Sequence, residues 1–94
     1  MAFYTYILTN QKNGALYTGS TDDLAKRVFE HRSRVGSKFT TKYGIGILVW
    51  YETHDTREAA FQRERQIKEW KRQWKINRIN ERNPQWRDLL AELV

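Results

Sequence analysis

The alternation of apolar and polar residues divides the first half of the chain into short elements separated by glycines. Residues 3–8 are rich in aromatic and β-favouring side chains and predict a first strand, and residues 15–19 predict a second. The Asn13-Gly14 dipeptide between them favours a tight turn, because both residues tolerate a positive φ angle. The pattern therefore predicts a β-hairpin in which Tyr4 and Tyr6 share one face of the first strand.

The remaining apolar positions predict a third strand and three helices. Thr21 is a good N-cap for the first helix, and residues 45–52 form a continuous apolar run typical of a buried central strand. Asp55 or Thr56 caps a second helix that runs to about residue 70, and further helical sequence continues to about residue 82, before Pro84. The order β-β-α-β-α-α predicts one α/β (α+β) domain over residues 1–94, with a small three-stranded antiparallel or mixed sheet flanked by helices.

Cysteine is absent from the 94 residues, which excludes disulfide scaffolds, zinc sites built on thiolates, iron–sulfur clusters and cysteine nucleophiles. The longest run of apolar residues and glycine covers 44–51, well short of the roughly 20 residues that a membrane helix needs. The N-terminus has no basic region leading into a long apolar stretch, so a secretory signal is not expected. We therefore expect a soluble cytoplasmic protein without a membrane partner, and a monomer.

The charge of the chain narrows its partners. Seventeen Lys and Arg against eleven Asp and Glu give a net charge of +6, while aromatic residues make up 14% of the chain. Disordered basic tails contain few aromatics, so this chain is expected to fold. A folded basic domain most often binds a polyanion, and nucleic acid is the commonest one. The alternative is that the charge only keeps a small protein in solution.

Two groups of side chains in the first half could carry chemistry. The hairpin contains Tyr6 and Tyr17, and the following helix presents Arg27 and His31 one turn apart. Each has a structural interpretation, because tyrosine is favoured in strands and polar pairs at this spacing are common on solvated helix faces. On their own, these residues do not decide between the two interpretations.

Glu64 is a carboxylate on the apolar side of a strongly basic helix. Burial of a carboxylate costs several kcal/mol unless the group is paired or binds a metal. The structural interpretation is a salt bridge to Lys68 or a contact with a neighbouring strand. The functional interpretation is a magnesium ligand, because Mg²⁺ keeps several waters and takes only one or two protein carboxylates.

In combination these residues resemble the GIY-YIG nuclease superfamily, and in particular its small single-domain bacterial members of the UPF0213 type. The family's signature positions are matched in chain order by Thr5-Tyr6-Ile7, Tyr17-Thr18-Gly19, Arg27, His31 and Glu64. Residues 83–89 are similar to the C-terminal tail of the small single-domain subgroup. The resemblance covers essentially the whole chain.

The sequence departs from the family pattern within both signature triplets. Thr5 replaces the glycine of the first triplet, and Thr18 replaces the usual aliphatic residue of the second. Both outer positions have backbone or packing roles, so we expect activity to survive. The family often has a late asparagine in its site, and the sequence offers three that cannot be told apart, Asn77, Asn80 and Asn83.

The resemblance implies the GIY-YIG endonuclease fold and metal-dependent hydrolysis of phosphodiester bonds in DNA, of the repair or processing type. It implies that Glu64 is the sole protein ligand of one Mg²⁺ or Mn²⁺ ion. Tyr17, or less favourably Tyr6, would activate the attacking water. Arg27 would bind the phosphate, and His31 would orient a tyrosine or assist proton transfer.

The expected partner is nucleic acid, with DNA favoured over RNA. Five basic residues are expected to flank the cleft and bind the backbone without reading its sequence: Lys26, Arg32, Arg34, Lys38 and Lys42. Two alternatives stay open. One is a nucleic-acid-binding module of the same fold with weak catalysis, and the other is a nuclease subunit that needs a protein partner for targeting.

Overall fold

The computed structural model describes residues 2–33 and 43–93. Its elements, in chain order, are β1 (Phe3–Thr9), β2 (Leu16–Thr21), α1 (Leu24–Arg32), β3 (Ile47–His54), α2 (Arg57–Lys68), α3 (Arg72–Arg82) and a short 3₁₀ helix (Leu89–Leu93). The predicted α+β architecture with a three-stranded sheet and flanking helices is therefore confirmed.

The sheet is antiparallel throughout and has the strand order β2-β1-β3. The third strand was expected at the centre, and this was wrong, because the tight hairpin pairs β2 with one edge of β1 and leaves the other edge for β3. Its three consecutive residues Leu48, Val49 and Trp50 are nevertheless at most 1% exposed. Elements packed on both faces make this edge strand as apolar as a central one, so the sequence pattern could not distinguish the two positions.

The hairpin turn has the predicted position, but only Asn13 of the two predicted turn residues adopts a positive φ. Asn13 adopts a positive φ of 58°, and the Gly14 N–H donates to the carbonyl of Gln11 over 2.9 Å. The Asn10 side chain accepts a hydrogen bond of 3.0 Å from the Ala15 N–H. These hydrogen bonds pair backbone N–H groups of the turn, and the turn sets the strand register in which Tyr6 lies opposite Gly19.

Side chains of β1 point alternately to two apolar layers. Tyr6 and Leu8 face the layer that contains α1 and the 3₁₀ helix, whereas Ile7 faces the layer that contains α2 and α3. Thr5 shares the face of Ile7, since its hydroxyl donates to the carbonyl of Ala60 in α2 over 2.8 Å. The sheet is thus covered on both sides, with α1 on one face and α2 on the other.

The helices begin and end at capping residues. The Asp23 side chain, rather than Thr21, accepts the Lys26 N–H at the start of α1. Thr56 caps α2 by accepting the Ala59 N–H over 3.1 Å, as predicted. Helix α3 ends at Arg82, and Asn83 is its C-cap.

The hydroxyl of Thr18 is buried without a hydrogen-bond partner in the described part of the chain, and the residue is 4% exposed. Replacement by valine keeps the shape and removes this unsatisfied group. We expect Thr18→Val to raise the free energy of unfolding by about 1 kcal/mol, measured by urea denaturation.

Thr5→Val is the matched control, because Thr5 is also buried but its hydroxyl donates to Ala60. This substitution is expected to lower the free energy of unfolding by about 1 kcal/mol. A change in the same direction at both threonines would contradict the assignment of their hydrogen bonds.

Candidate functional site

Tyr6 lies at the centre of the candidate site and is 1% exposed. Its ring crosses over Gly19 on the neighbouring strand. A Cβ atom at Gly19 would lie only 2.5 Å from the Tyr6 hydroxyl oxygen. The glycine of the second triplet is therefore needed so that the Tyr6 hydroxyl can reach this point above β2.

His31 and Tyr17 pack beside Tyr6. The buried positions of α1 are Leu24, Val28 and His31, a spacing that turns the imidazole towards the sheet. His31 Nε2 lies 3.4 Å from the Tyr6 hydroxyl, and its ring centroid is 5.1 Å from that of Tyr17. The two hairpin tyrosines and the histidine therefore form one aromatic cluster on the α1 face.

Arg27 joins the same cluster from the preceding turn of α1. Its positive charge acts on the nearby Tyr6 hydroxyl, and its Nη1 atom lies 3.4 Å from the carboxylate of Glu30. Burial alone would lower the pKa of Arg27, but the contacts with Tyr6 and Glu30 raise it, so the side chain stays charged. About 46% of this side chain is exposed, which leaves the cation accessible from solvent.

The surroundings of the cluster fix the protonation of two of its members. Burial raises the pKa of Tyr6 well above its ordinary value, the nearby Tyr17 adds to this effect, and Arg27 only partly offsets it. Burial and the charge of Arg27 lower the pKa of His31, against a smaller opposing effect of Glu30. Near pH 7, Tyr6 is therefore a neutral phenol and His31 a neutral imidazole.

Glu64 comes from the helix on the opposite face of the sheet but reaches the edge of β2. There the Ser20 hydroxyl donates to Glu64 Oε1 over 2.5 Å. The ammonium of Lys68 lies 2.6 Å from the other carboxylate oxygen, Oε2. Both structural interpretations of this carboxylate are thus realised, because it pairs with Lys68 and also contacts a strand.

Ser20 links this carboxylate to the α1 side of the sheet. It lines an open cavity of about 620 Å³ together with Arg27 and Lys26. After burial and Tyr17, the charge of Glu64 also contributes to the raised pKa of Tyr6. Through Ser20, Glu64 therefore reaches the edge of the cavity that Arg27 lines, although its own helix packs on the other face.

The donor set around Glu64 suits a hard, hydrated cation. Over residues 2–33 and 43–93, no group of three or more His, Cys, Asp and Glu side chains is arranged to hold a metal. That excludes a zinc-type site from the described residues. A single carboxylate beside an open cavity fits Mg²⁺, which keeps most of its water ligands.

Comparison with known protein families identifies the family of this chain. Residues 2–77 match the GIY-YIG catalytic domain family. The chain belongs to the GIY-YIG family. GIY-YIG domains form a nuclease superfamily, so membership supports a nucleic-acid-binding endonuclease in general terms.

Relatives of this GIY-YIG domain are small proteins of similar length. A UPF0213 protein of Staphylococcus saprophyticus is 40% identical over 78 residues, which cover 83% of this chain and 94% of the relative. A UPF0213 protein of Haloquadratum walsbyi is 42% identical over 72 residues, covering 77% and 80% of the two chains. The solution NMR structure of a UPF0213 protein from Bacillus halodurans is 31% identical, with a TM-score of 0.57 and coverage of 94% and 93%. These names state no specific activity.

The five basic residues predicted to bind nucleic acid are not all placed alike in the GIY-YIG domain. Lys26 is exposed and lines the cavity beside Arg27. The Arg32 guanidinium instead donates to the carbonyl of Gly46 over 2.7 Å and pairs with Asp88, so it ties α1 to the C-terminal segment. The remaining three lie outside the described residues: Arg34, Lys38 and Lys42.

The three late asparagines have contacts away from the tyrosine cluster. Asn77 accepts a hydrogen bond from Gln73 on the same helix, and Asn80 accepts one from the Trp86 indole. Asn83 is 1% exposed and donates to the carbonyl of Val49. Among these described contacts, Asn83 in particular joins α3 to β3, which is a structural role.

Sequence reasoning missed two residues of the site, Ser20 and Arg57. Ser20 follows the second triplet, and strand alternation turns it towards α2, opposite to its neighbour Gly19, so periodicity could have identified it. Arg57 lines the same cavity and pairs with Asp22 over 3.1 Å. No sequence signal links Arg57 to Asp22, because they are brought together only by the packing of α2.

Because the pKa of His31 is lowered, we expect the folded chain to become less stable as the pH falls. In the unfolded chain His31 binds a proton near pH 6.5, whereas in the folded chain it does so only at lower pH. The free energy of unfolding is therefore highest above pH 6.5, as far as His31 is concerned, and decreases as the pH falls below that value. We expect His31→Gln to reduce the drop in melting temperature between pH 7.5 and pH 5.5. His54→Gln is the control and should retain the drop; an unchanged drop in His31→Gln would contradict the assignment.

Proposed function

We propose that this GIY-YIG domain catalyses metal-dependent hydrolysis of phosphodiester bonds in nucleic acid, with DNA as the favoured substrate. The observation that carries the proposal is the convergence of two phenols, an imidazole and a guanidinium beside a carboxylate at one strand edge. An open cavity lined by Ser20 and Arg27 gives a backbone phosphate access to the guanidinium and to the hydroxyl that contacts Glu64. A cytoplasmic location and a role in DNA repair or processing remain predictions.

Tyr17 is the better candidate for water activation than Tyr6. The buried Tyr6 phenol is held neutral by its surroundings and touches both Arg27 and His31, which suits a positioning role. Tyr17 is only partly buried, and its ring lies against the His31 ring. The neutral imidazole can accept or donate a proton, so His31 can assist proton transfer from a water that Tyr17 holds.

Arg27 would bind the reacting phosphate. A guanidinium offers paired donors that match two phosphate oxygens and stabilise the charge that develops in the transition state. Its contact with Glu30 is on the exposed surface and measures 3.4 Å, so a phosphate competes with a weak partner. Its interaction with the Tyr6 hydroxyl raises the pKa of Arg27, so the guanidinium stays charged beside the cluster.

Glu64 would hold a single Mg²⁺ or Mn²⁺ ion, which supplies positive charge to the leaving oxygen. Ser20 keeps one carboxylate oxygen oriented through its 2.5 Å hydrogen bond. Lys68 occupies the other oxygen and is half exposed, so it can turn into solvent or towards a phosphate when the carboxylate binds a cation.

A binding module with weak catalysis is the second candidate, and the Lys68 contact favours it. The carboxylate of Glu64 already has two protein partners, so its burial is explained without a metal. Such a module would bind nucleic acid with strong salt dependence and yield no cleavage product.

Nicking of supercoiled plasmid separates the two candidates. We expect product with Mg²⁺ or Mn²⁺ and none with EDTA, and we expect Tyr17→Phe to reduce the rate by about 10²-fold, the typical contribution of a positioned acid or base. Tyr4→Phe is the matched control, because Tyr4 lies on the same hairpin and packs against Tyr51 rather than His31. Metal-independent binding without any nicked product would contradict the hydrolytic proposal.

A further inference from the structure

A group of three cations begins at the partner of Glu64 and ends at the hairpin turn, and we call it the α2–α3 cation cluster: Lys68, Arg72 and Lys75. Residues 57–82 contain nine Lys or Arg and four Glu, so this segment carries five of the six net positive charges of the chain. Lys68 pairs with Glu64, but within the described residues neither Arg72 nor Lys75 has a carboxylate partner. Most of the uncompensated charge of the cluster therefore comes from α3.

Arg72 is fixed in place at the hairpin turn. Its Nη2 atom donates to the carbonyls of Asn13 and Gly14 over 2.7 and 2.6 Å. The guanidinium has five N–H donors, so those on Nε and Nη1 are left for another acceptor. A fixed guanidinium loses little conformational entropy when it binds an anion.

Lys75 is held close to the other two cations. Burial lowers its pKa, and the charges of Arg72 and Lys68 lower it further. Lys75 and Arg72 line an open cavity of about 350 Å³ with Tyr43, which is 43% exposed. An anion in this cavity would relieve the repulsion between the two cations.

The cluster leads away from the candidate site in one direction. Lys68 follows Glu64 by one helical turn, which is about 6 Å along the axis, and α3 continues the series to the hairpin turn. β2 is an edge strand of the sheet, and its Ser20 contacts Glu64 near one end. One strand of DNA advances about 3.4 Å per nucleotide, so a few nucleotides span the length of β2 from Ser20 to the hairpin turn.

We propose that Arg72 and Lys75 bind the phosphate backbone of a nucleic acid strand that extends from Glu64 along the β2 edge towards the hairpin turn. The direction of this strand rests on the proposed function, because Glu64 marks the site of cleavage. The contacts are made to phosphates, so they contribute affinity and orientation without reading bases.

Fluorescence anisotropy in EDTA tests the proposal without cleavage. The probes are a fluorescein-labelled 20-nucleotide single strand and the corresponding duplex, titrated over a range of salt concentrations. Loss of one phosphate contact should reduce the slope of log K against log salt by about 0.7 for the single strand or 0.9 for the duplex. We expect this reduction and a several-fold weaker affinity for Lys75→Gln, whose side chain makes no hydrogen bond within the described residues.

Arg65→Gln is the matched control, since Arg65 is an exposed cation of α2 that lies over Phe61. Both variants should keep the melting temperature of the wild type. An unchanged slope in Lys75→Gln, an equal reduction in Arg65→Gln, or no binding of either probe by the wild type would overturn the proposal. A separate cleavage assay with Mg²⁺ distinguishes this binding proposal from the proposed function. Cleavage by the wild type together with an unaltered salt slope in Lys75→Gln contradicts only the proposed phosphate contacts. A reduced salt slope in Lys75→Gln without cleavage by the wild type contradicts only hydrolysis.

Discussion

Replacement of Glu64 by glutamine is expected to reduce metal-dependent cleavage by about 10³-fold, because the metal contributes several kcal/mol of charge stabilisation. Glutamine keeps the shape of the side chain, and its oxygen can still accept the hydrogen bond from Ser20. Lys68 loses its partner but is about half exposed, so water solvates its charge. The fold is therefore expected to persist, and cleavage rates with saturating Mg²⁺ measure the loss.

Glu58→Gln is the matched control for this substitution. Glu58 is an exposed carboxylate on the first turn of the same helix, away from Ser20 and Lys68. Its replacement should leave cleavage within about twofold, since it alters only a weak interaction with the helix dipole. Comparable rates for Glu64→Gln and the wild type would remove the carboxylate from the mechanism.

Replacement of Arg27 by alanine is expected to reduce cleavage by about 10²- to 10³-fold, the typical effect of removing one preorganised donor to a developing charge. Arg27→Lys should recover only part of the rate, because it restores the charge but not the paired donors of the guanidinium. Nearly half of the Arg27 side chain is exposed, so neither change should greatly alter the melting temperature.

Separate measurements of DNA binding and of cleavage rate, with Arg65→Ala as the control variant, test this prediction. Arg65→Ala removes a cation of the same charge from an exposed position on α2, and cleavage should stay close to the wild-type rate. A loss that appears only as weaker DNA binding, equal for Arg27→Ala and Arg65→Ala, would show that Arg27 acts as one surface charge among many.

Local sequence signals were sufficient for the hairpin and for several helix ends. Asn13 defines the turn by tolerating a positive φ, Thr56 caps α2 with its own hydroxyl, and Asn83 ends α3 just before Pro84. Each of these signals acts over a few residues, so the chain expresses it whatever the tertiary structure. The central position of β1 could not be predicted in this way, because strand order depends on which edges remain free.

The candidate site shows the same division between local and long-range information. Helical spacing places Arg27 and His31 one turn apart, but their contacts with Tyr6 join α1 to the central strand. The hydrogen bond between Ser20 and Glu64 crosses 44 positions of sequence. Strand alternation turns Ser20 towards α2, but no local signal pairs it with Glu64. The resemblance to a family supplied the grouping of these residues, and the structure adds Ser20 as the link between them.

The threonines that depart from the family triplets have different structural consequences. Thr5 donates a hydrogen bond to α2, so its side chain helps to join the sheet to the helix that carries Glu64. Thr18 makes no such bond within the described residues and buries an unsatisfied hydroxyl. Neither side chain lies on the face that carries Tyr6 and Tyr17. That both departures leave activity intact stays a prediction.

The position of a bound metal ion shows whether Glu64 is the metal ligand. Anomalous diffraction from crystals soaked with Mn²⁺ locates the ion independently of any activity. We expect a single strong anomalous peak within coordination distance of a Glu64 oxygen, on the side of Ser20 and Arg27. Lys68 should then be displaced from the carboxylate. A peak elsewhere, or no peak with Lys68 still paired to Glu64, would contradict it.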